Sequence, residues 1–349
     1  MSTVSDLPPP SKQRRKGCNL PKEEALWPCF DSWVLSEHKP LGDKGEDAWA
    51  CDFRRGDVHG LAVFDGCGGA GSWRYPELKD ATGAFAASHD MALLFRRWFA
   101  RLDASLLLQP ETAALSLANA AAAELQKVKS ICSPMGIMGT IYKAFPCTAS
   151  AALIQPREDG ALTLTALQAG DSRVYFLTPE SGLVQVTHDD AQGDPDPLDS
   201  MRASPPMSNM VNADVPFHVT ATQLTLRPPC VVLCATDGVF GFFGSPMEFE
   251  YVLLSALMQS DTHLAFRETF TGLVRKVTGD DSTCVLSFYG WGPLKRVKES
   301  MAARYAYVSD LVKRIVAEKD PAARERVTRE VWTEYKPKAV WRKGGGSHA

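Results

Sequence analysis

Acidic residues adjoin apolar segments at five places along the chain, and each place has the composition of a turn. At one of them the apolar run 61–64 leads into Asp65, and Gly66-Cys67-Gly68-Gly69 follows. The others, in chain order, are Glu46-Asp47, Gly170-Asp171, Asp237-Gly238 and Asp280-Asp281. One Asp-Gly at the end of a strand is usually only a turn, but five such carboxylates would repel severely if the sheet gathered them without cations. Carboxylate oxygens, with the closely approachable carbonyl of Gly66, are ligands that Mg²⁺ and Mn²⁺ prefer.

The segments that position these carboxylates read as strands, because they alternate or are continuously apolar. They are 48–53, 61–64, 163–167, 231–235 and 284–288. A hairpin is expected from 149–154 to 162–167, with its turn at 156–160. Helices are predicted at 78–107, 111–129, 246–258 (opened by a Ser-Pro-Met-Glu capping box) and 262–277, and a long surface loop at 193–216. Strands with helix pairs between them favour two packed sheets with helices outside.

In this order, the motifs resemble those of the metal-dependent protein phosphatases, the type 2C or PPM-type serine/threonine phosphatases, in their bacterial form. The matching elements are Glu46-Asp47, Phe64 to Gly69, Gly170 to Arg173, Thr236 to Gly238 and Asp280 to Thr283. The segment Val186 to Asp190 is similar to the family's Leu-Thr-x-Asp-His element. The resemblance covers about residues 40 to 290 and implies an α+β fold, a four-layer α-β-β-α sandwich of two antiparallel sheets flanked by helices.

The resemblance also implies a centre of two Mg²⁺ or Mn²⁺ ions. Asp65 would bridge them, Asp237 and Asp280 would complete one ion, and Glu46 with the Gly66 carbonyl the other. Asp47 is expected to orient a metal-bound water, and Asp171 is the candidate ligand of a third, weaker ion. A water activated by both metals would attack phosphorus in line with the leaving oxygen, without a covalent phosphoenzyme. The carboxylates Asp65, Asp237 and Asp280 are therefore the predicted catalytic set.

Departures from the family pattern occur at four positions. Cys67 stands where many eukaryotic members have a His; we expect a small filler residue in preference to a redox-sensitive thiol, with its pKa raised by carboxylates. The family's phosphate-binding Arg is replaced by Gly42, and Lys44 is the substitute candidate for the phosphate contact. Gly241 replaces an acidic residue and weakens the case for a third ion. Cys147 alters only a strand start.

Composition is typical of a soluble globular enzyme, with 45% hydrophobic and 23% charged residues among 349. No apolar run is long enough for a membrane span, and the nine cysteines read as reduced core residues, so a cytoplasmic location is expected. Residues 294–343 hold 14 Lys and Arg against 7 Asp and Glu, a balance of +7; the net charge of −3 then leaves −10 for the first 293 residues. An acidic body argues against nucleic acid as a partner.

Four regions are predicted: a disordered basic and Pro-containing tail (1–28), the phosphatase-like domain (29–292), a basic helical extension (293–343) and a flexible end (344–349). In the extension, apolar residues from Leu294 to Ile315 form one helical stripe. This helix either packs on the body or docks a partner. The segment around Trp332 and Tyr335 has the same two alternatives.

Three hypotheses follow for function. The first is an Mg²⁺/Mn²⁺-dependent phosphatase for phosphoserine and phosphothreonine in proteins, with a phosphoprotein substrate and a cognate Ser/Thr kinase as partners. The second is a catalytically weak pseudophosphatase that binds phosphoproteins, suggested by the missing Arg and His. The third is a phosphatase for a small metabolite. The intact acidic set favours the first.

Overall fold

The structure is a computed structural model that describes residues 29–37, 45–103, 109–132, 142–193, 195–203, 205–291 and 293–339. The predictions for the tail 1–28, for Gly42 and Lys44, and for the end 344–349 lie outside these residues.

Two five-stranded antiparallel sheets form the centre of the fold. Sheet I contains β2 (Asp47–Arg55), β3 (Val58–Asp65), β6 (Ala149–Pro156), β7 (Leu162–Ala169) and β10 (Thr220–Leu226), in the order β10-β7-β6-β3-β2. Sheet II contains β1 (Cys29–Glu37), β8 (Arg173–Thr178), β9 (Gly182–Gln185), β11 (Cys230–Ala235) and β12 (Ser282–Tyr289), in the order β1-β12-β11-β8-β9. A small hairpin pairs β4 (Arg74–Tyr75) with β5 (Ala81–Thr82).

Helices cover the outer face of each sheet. They are α1 (Gly83–Arg101), α2 (Pro110–Ile131), α3 (Pro197–Ala203), α4 (Asp237–Phe240), α5 (Pro246–Gln259), α6 (His263–Arg275), α7 (Leu294–Ala317) and α8 (Pro321–Ala339). One apolar core lies between sheet I and α1 with α2, a second between the two sheets, and a third between sheet II and α5, α6 and α7. The predicted four-layer α-β-β-α sandwich is confirmed.

The first long helix begins later than predicted. Pro76–Leu78 is a short 3-10 helix, and Lys79 and Asp80 then take positive φ values of 57° and 64°, which an α-helix cannot contain. Helix α1 starts after Thr82, whose side chain accepts a hydrogen bond from the Phe85 amide as an N-cap. The helix ends at Arg101, six residues before the predicted end.

The C-terminal extension packs on the body as two helices. The buried stripe of α7 includes Met301 and Val308 and lies against α5. Arg304 of α7 forms a buried two-bond ion pair with Glu250 of α5, at 2.6 and 2.8 Å. In α8, Trp332 and Tyr335 are buried in a fourth apolar cluster that also includes residues of α3 and α7. Helix α3, which lies within the predicted loop 193–216, is thereby held by the extension. No helix among the described residues is long and apolar enough to cross a membrane.

Candidate active site

The acidic cluster lies where strand ends of both sheets meet at one edge of the sandwich. Its members are Glu46, Asp47, Asp65, Asp171, Asp237, Asp280 and Asp281. In sheet I, Asp47 begins β2 and lies opposite Asp65, which ends β3. In sheet II, Ala235 at the end of β11 pairs with Cys284 near the start of β12, so the residues just outside this pair, Asp237 and Asp281, approach each other. This register is why residues up to 235 positions apart share one site.

The two sheets are joined directly at the cluster. The Thr236 hydroxyl donates a hydrogen bond of 2.8 Å to Oδ2 of Asp47, across from sheet II to sheet I. The same hydroxyl accepts the amide hydrogen of Thr283 at 2.9 Å, so its direction is fixed by β12. A second link runs from the Glu46 amide to Oδ2 of Asp281, at 2.6 Å. Both links fix carboxylates that are almost fully buried, with 1% of Asp47 and 7% of Asp281 exposed.

The Glu46 side chain is held between the helix cap and the glycine turn. The Thr82 hydroxyl, which also caps α1, donates to Oε1 of Glu46. On the other side, a Cβ added at Gly68 would lie 2.2 Å from Oε2 of Glu46. No larger residue fits there without moving the carboxylate. Position 68 therefore requires a glycine because of its contact with Glu46, and not because of its backbone conformation.

Desolvation and repulsion from neighbouring carboxylates raise the pKa of three carboxyl groups in the cluster, those of Asp47, Asp65 and Asp171. Desolvation, with repulsion from Asp237, raises the pKa of both Asp47 and Asp171 to about 7. Desolvation, followed by the charges of Asp47, Asp237 and Asp171, raises the pKa of Asp65 well above its ordinary value. A raised pKa means that the folded protein stabilises the protonated form, so the site favours positive charge.

The donor set fits hard divalent cations. It consists of carboxylate oxygens beside a backbone turn. Oδ1 of Asp47 is buried and has no hydrogen-bond partner within the described part of the chain. The Thr283 side chain lowers the pKa of this carboxyl, but desolvation has the larger and opposite effect. Oxygen donors with excess negative charge are what Mg²⁺ and Mn²⁺ prefer. As they stand among the described residues, no three or more His, Cys, Asp or Glu side chains are arranged so that they could hold a metal ion.

Cys67 follows Gly66 in the turn and has no features of a reactive thiol. Desolvation, then the charge of Asp65, raises its pKa well above the ordinary value. Since a thiolate is the reactive form, the thiol is suppressed as a nucleophile. This agrees with a filler residue, and desolvation is the larger cause, ahead of the carboxylates that the sequence suggested.

All but one of the site residues predicted from sequence lie at or beside the acidic cluster. The structure brings together Glu46, Asp47, Asp65, Asp171 and Asp237, and places Asp280 on the exposed side of the cluster. Gly66 lies in the same turn, where its amide donates to the Glu46 carbonyl at 3.1 Å. Lys44 lies outside the described residues. Sequence reasoning missed Asp281 as a partner of Glu46, and the doubled acid at 280–281 was the signal that could have found it.

The known proteins that match this chain are solved structures with a similar fold. No family model and no curated protein sequence matches this chain. Among solved structures, a bacterial serine phosphatase superposes with a TM-score of 0.57 at 15% identity, over 74% of this chain and 97% of that one. Stp1, a serine/threonine phosphatase from Staphylococcus aureus, gives 0.54 at 14%, over 74% and 94%. MsPP, a PPM Ser-Thr phosphatase from Mycobacterium smegmatis, gives 0.51 at 13%, over 75% and 99%. The chain has the fold of the PPM-type Ser/Thr phosphatases.

Proposed function

We propose that this protein is a Mg²⁺- or Mn²⁺-dependent phosphatase that hydrolyses phosphoserine and phosphothreonine in proteins. The observation that carries the proposal is the acidic cluster, which stands at the edge of a PPM-type sandwich with the pKa of Asp47, Asp65 and Asp171 raised. Shared fold alone would not support an activity, because function resides in the site.

The carboxylates divide by exposure into holders of cations and supports. Asp65, Asp237, Asp280 and Glu46, with the Gly66 carbonyl, would hold two divalent ions, and Asp171 a weaker third. When bound, the ions would activate a water for in-line attack on phosphorus and stabilise the charge of the transferring group, so that no phosphoenzyme is required. Asp47 is buried and accepts from Thr236, so it would orient groups at the site without reaching substrate.

The test is Mn²⁺-dependent hydrolysis of p-nitrophenyl phosphate and of phosphopeptides by the full chain. Asp65→Asn and Asp237→Asn should each lose at least about a hundredfold in turnover, because each removes a carboxylate from the centre of the cluster. Asp159→Asn is the matched control: it removes one carboxylate from the exposed turn between β6 and β7. Metal-loaded wild type that turns over neither substrate would exclude the proposal and leave the phosphoprotein-binding alternative.

A small-metabolite phosphatase is distinguished by the same assay. It would hydrolyse one phosphorylated metabolite rapidly and phosphopeptides poorly. For the protein phosphatase that we propose, a Ser/Thr kinase acting on the same substrate is the expected functional partner. Seven cysteines of the described residues are free, namely Cys51, Cys67, Cys132, Cys147, Cys230, Cys234 and Cys284, which supports our proposal of a reducing, cytoplasmic location.

A further inference from the structure

The turn that carries Asp171 is held by a carboxylate from a different segment. The amide of Gly170 donates to Oδ2 of Asp190 at 2.9 Å, and the amide of Asp190 donates back to the Gly170 carbonyl, also at 2.9 Å. Gly170 has a φ of +99°, and a Cβ added there would lie 2.8 Å from Cγ2 of Thr148. Asp190 thus holds both the amide and the carbonyl of the residue just before Asp171, and Nε2 of Gln168 also donates to that carbonyl at 2.6 Å.

Asp190 is itself fixed by the segment 208–218. Nδ2 of Asn209 donates to Oδ2 of Asp190 at 2.6 Å and to the His218 carbonyl at 3.0 Å. The Asn209 carbonyl oxygen accepts the His218 amide at 3.1 Å, and the Ser208 amide donates to the Asp190 carbonyl at 2.7 Å. Asn209 is 9% exposed, so these bonds form in a largely water-excluded place, where an unmade bond is costly.

The neighbouring carboxylate has a different task. Asp189 accepts two hydrogen bonds from Arg173, at 2.8 and 2.6 Å, and the Arg173 guanidinium also lies 4.2 Å from the centre of the Phe240 ring. Arg173 thereby links the start of β8 to the end of α4. Oδ2 of Asp190 instead accepts from the Gly170 amide and the Asn209 side chain, while Nε2 of His218 lies 3.8 Å from Oδ1.

We infer that Asp190 is a positioning residue for Asp171, and that through Asp171 it sets the affinity of the weaker divalent ion. The inference rests on the proposed function for the role of that ion. Asp190 would not touch the ion or the substrate; its carboxylate holds the Gly170 amide and its amide holds the Gly170 carbonyl, and this backbone leads directly into Asp171. Groups that orient metal ligands commonly change metal affinity by about 10–100-fold when they are removed.

A double-mutant cycle on the full chain tests the inference. Asp190→Ala and Asp171→Asn should each weaken binding of the weaker Mn²⁺ ion by about tenfold, measured by titration calorimetry and by electron paramagnetic resonance of free Mn²⁺. The double variant should bind no more weakly than Asp171→Asn alone, because Asp190 acts only through Asp171. Asp190→Asn keeps an acceptor oxygen for Gly170 and Asn209 and should stay within about threefold of wild type.

Two further variants separate positioning from general loss of structure. Asn212→Ala is the matched control: Asn212 is 4% exposed, and its Oδ1 accepts the amides of Asp214 and Val215 in the same loop. It should leave Mn²⁺ binding unchanged. Asn209→Ala removes the second donor to Asp190 and should weaken binding in the same direction as Asp190→Ala but less, which keeps a test available if Asp190→Ala fails to fold.

Unchanged Mn²⁺ binding in both Asp190→Ala and Asn209→Ala, or additive losses in the double variant, would overturn the inference. So would a loss in Asn212→Ala as large as that in Asp190→Ala. The binding readout is independent of turnover. If wild type binds Mn²⁺ but hydrolyses no phosphate ester, the proposed function fails while the cycle still decides the role of Asp190.

Discussion

The acidic cluster should make the metal-free protein less stable as pH rises above neutrality. The unfolded chain ionises Asp residues near pH 4, whereas folded Asp47 and Asp171 have a pKa of about 7. Between these values the folded state holds protons that the unfolded state has lost. Stability from this source is therefore greatest near pH 4 and is lost as pH rises through about 7.

The magnitude follows from the pKa values of Asp47 and Asp171. Between pH 6.5 and pH 8.0, ionising one carboxyl with a pKa of about 7 lowers the free energy of unfolding by about 0.8 kcal/mol, so Asp47 and Asp171 together account for about 1.6 kcal/mol. Asp65, whose pKa lies higher, adds to the loss. Burial lowers the pKa of His59 to about 3, whereas an unfolded His is still half protonated at pH 6.5, so His59 offsets about 0.4 kcal/mol of this loss between pH 6.5 and 8.0.

The assay is urea unfolding in the presence of a chelator at both pH values, repeated with Mn²⁺. A ligand that binds only the folded state adds stability, and it binds ionised carboxylates more tightly at the higher pH. The pH slope should therefore be negative without metal and positive with it. Without metal, Asp47→Asn should reduce the loss of unfolding free energy between the two pH values by about 0.8 kcal/mol, while Asp159→Asn should leave that loss unchanged. A metal-free slope that is flat or positive would refute the electrostatic account of the cluster.

Three other predictions concern stability and the glycine turn. Arg304→Met should lower the free energy of unfolding by about 3–5 kcal/mol in chemical denaturation, because it leaves the buried Glu250 carboxylate without its ion-pair partner. Adding Glu250→Leu should restore most of the loss. A loss below about 1 kcal/mol would show that the ion pair does not secure the extension. Asp90→Asn should add about 1–3 kcal/mol at pH 7.5, since burial raises the pKa of Asp90 to about 6, and the gain should shrink toward pH 4 in the same measurement. Gly68→Ala should abolish Mn²⁺-dependent turnover with little change in thermal unfolding, since its Cβ meets Oε2 of Glu46; full activity would contradict this.

Local patterns were enough to predict the strand ends that carry Asp65 and Asp237. A buried strand followed by Asp-Gly is a short-range signal, and both residues lie at or just after the predicted strands, β3 and β11. The capping box also placed the start of α5 correctly, since Ser245 accepts the Glu248 amide. The start of α1 was wrong because helix propensity from Leu78 onward gives no warning that Lys79 and Asp80 adopt left-handed backbone.

The supports of the site were beyond sequence reasoning for a different reason. Asp281 contacts the Glu46 amide across 235 residues, and Asp190 contacts Gly170 across 20 residues and a change of sheet. Neither contact has a local signature, because the residues next to an Asp in the sequence do not show whether its carboxylate will accept from a distant backbone amide or face water. Doubled acids at 189–190 and 280–281 mark where to look, and only the three-dimensional fold gives the two members of each pair different partners.

Because both sheets contribute carboxylates, cations in the cluster would act as cross-links between the two halves of the sandwich. Asp47 and Asp65 belong to sheet I, while Asp237 and Asp281 adjoin strands of sheet II. Thr236 and the Glu46 amide already join the halves there, against the repulsion of the charges. Metal binding should therefore slow amide exchange in β3 and β12 alike, at the strand ends nearest the cluster. If metal slowed amide exchange only in the glycine turn at 66–69, the ions would order that loop without stabilising the contact between the two sheets.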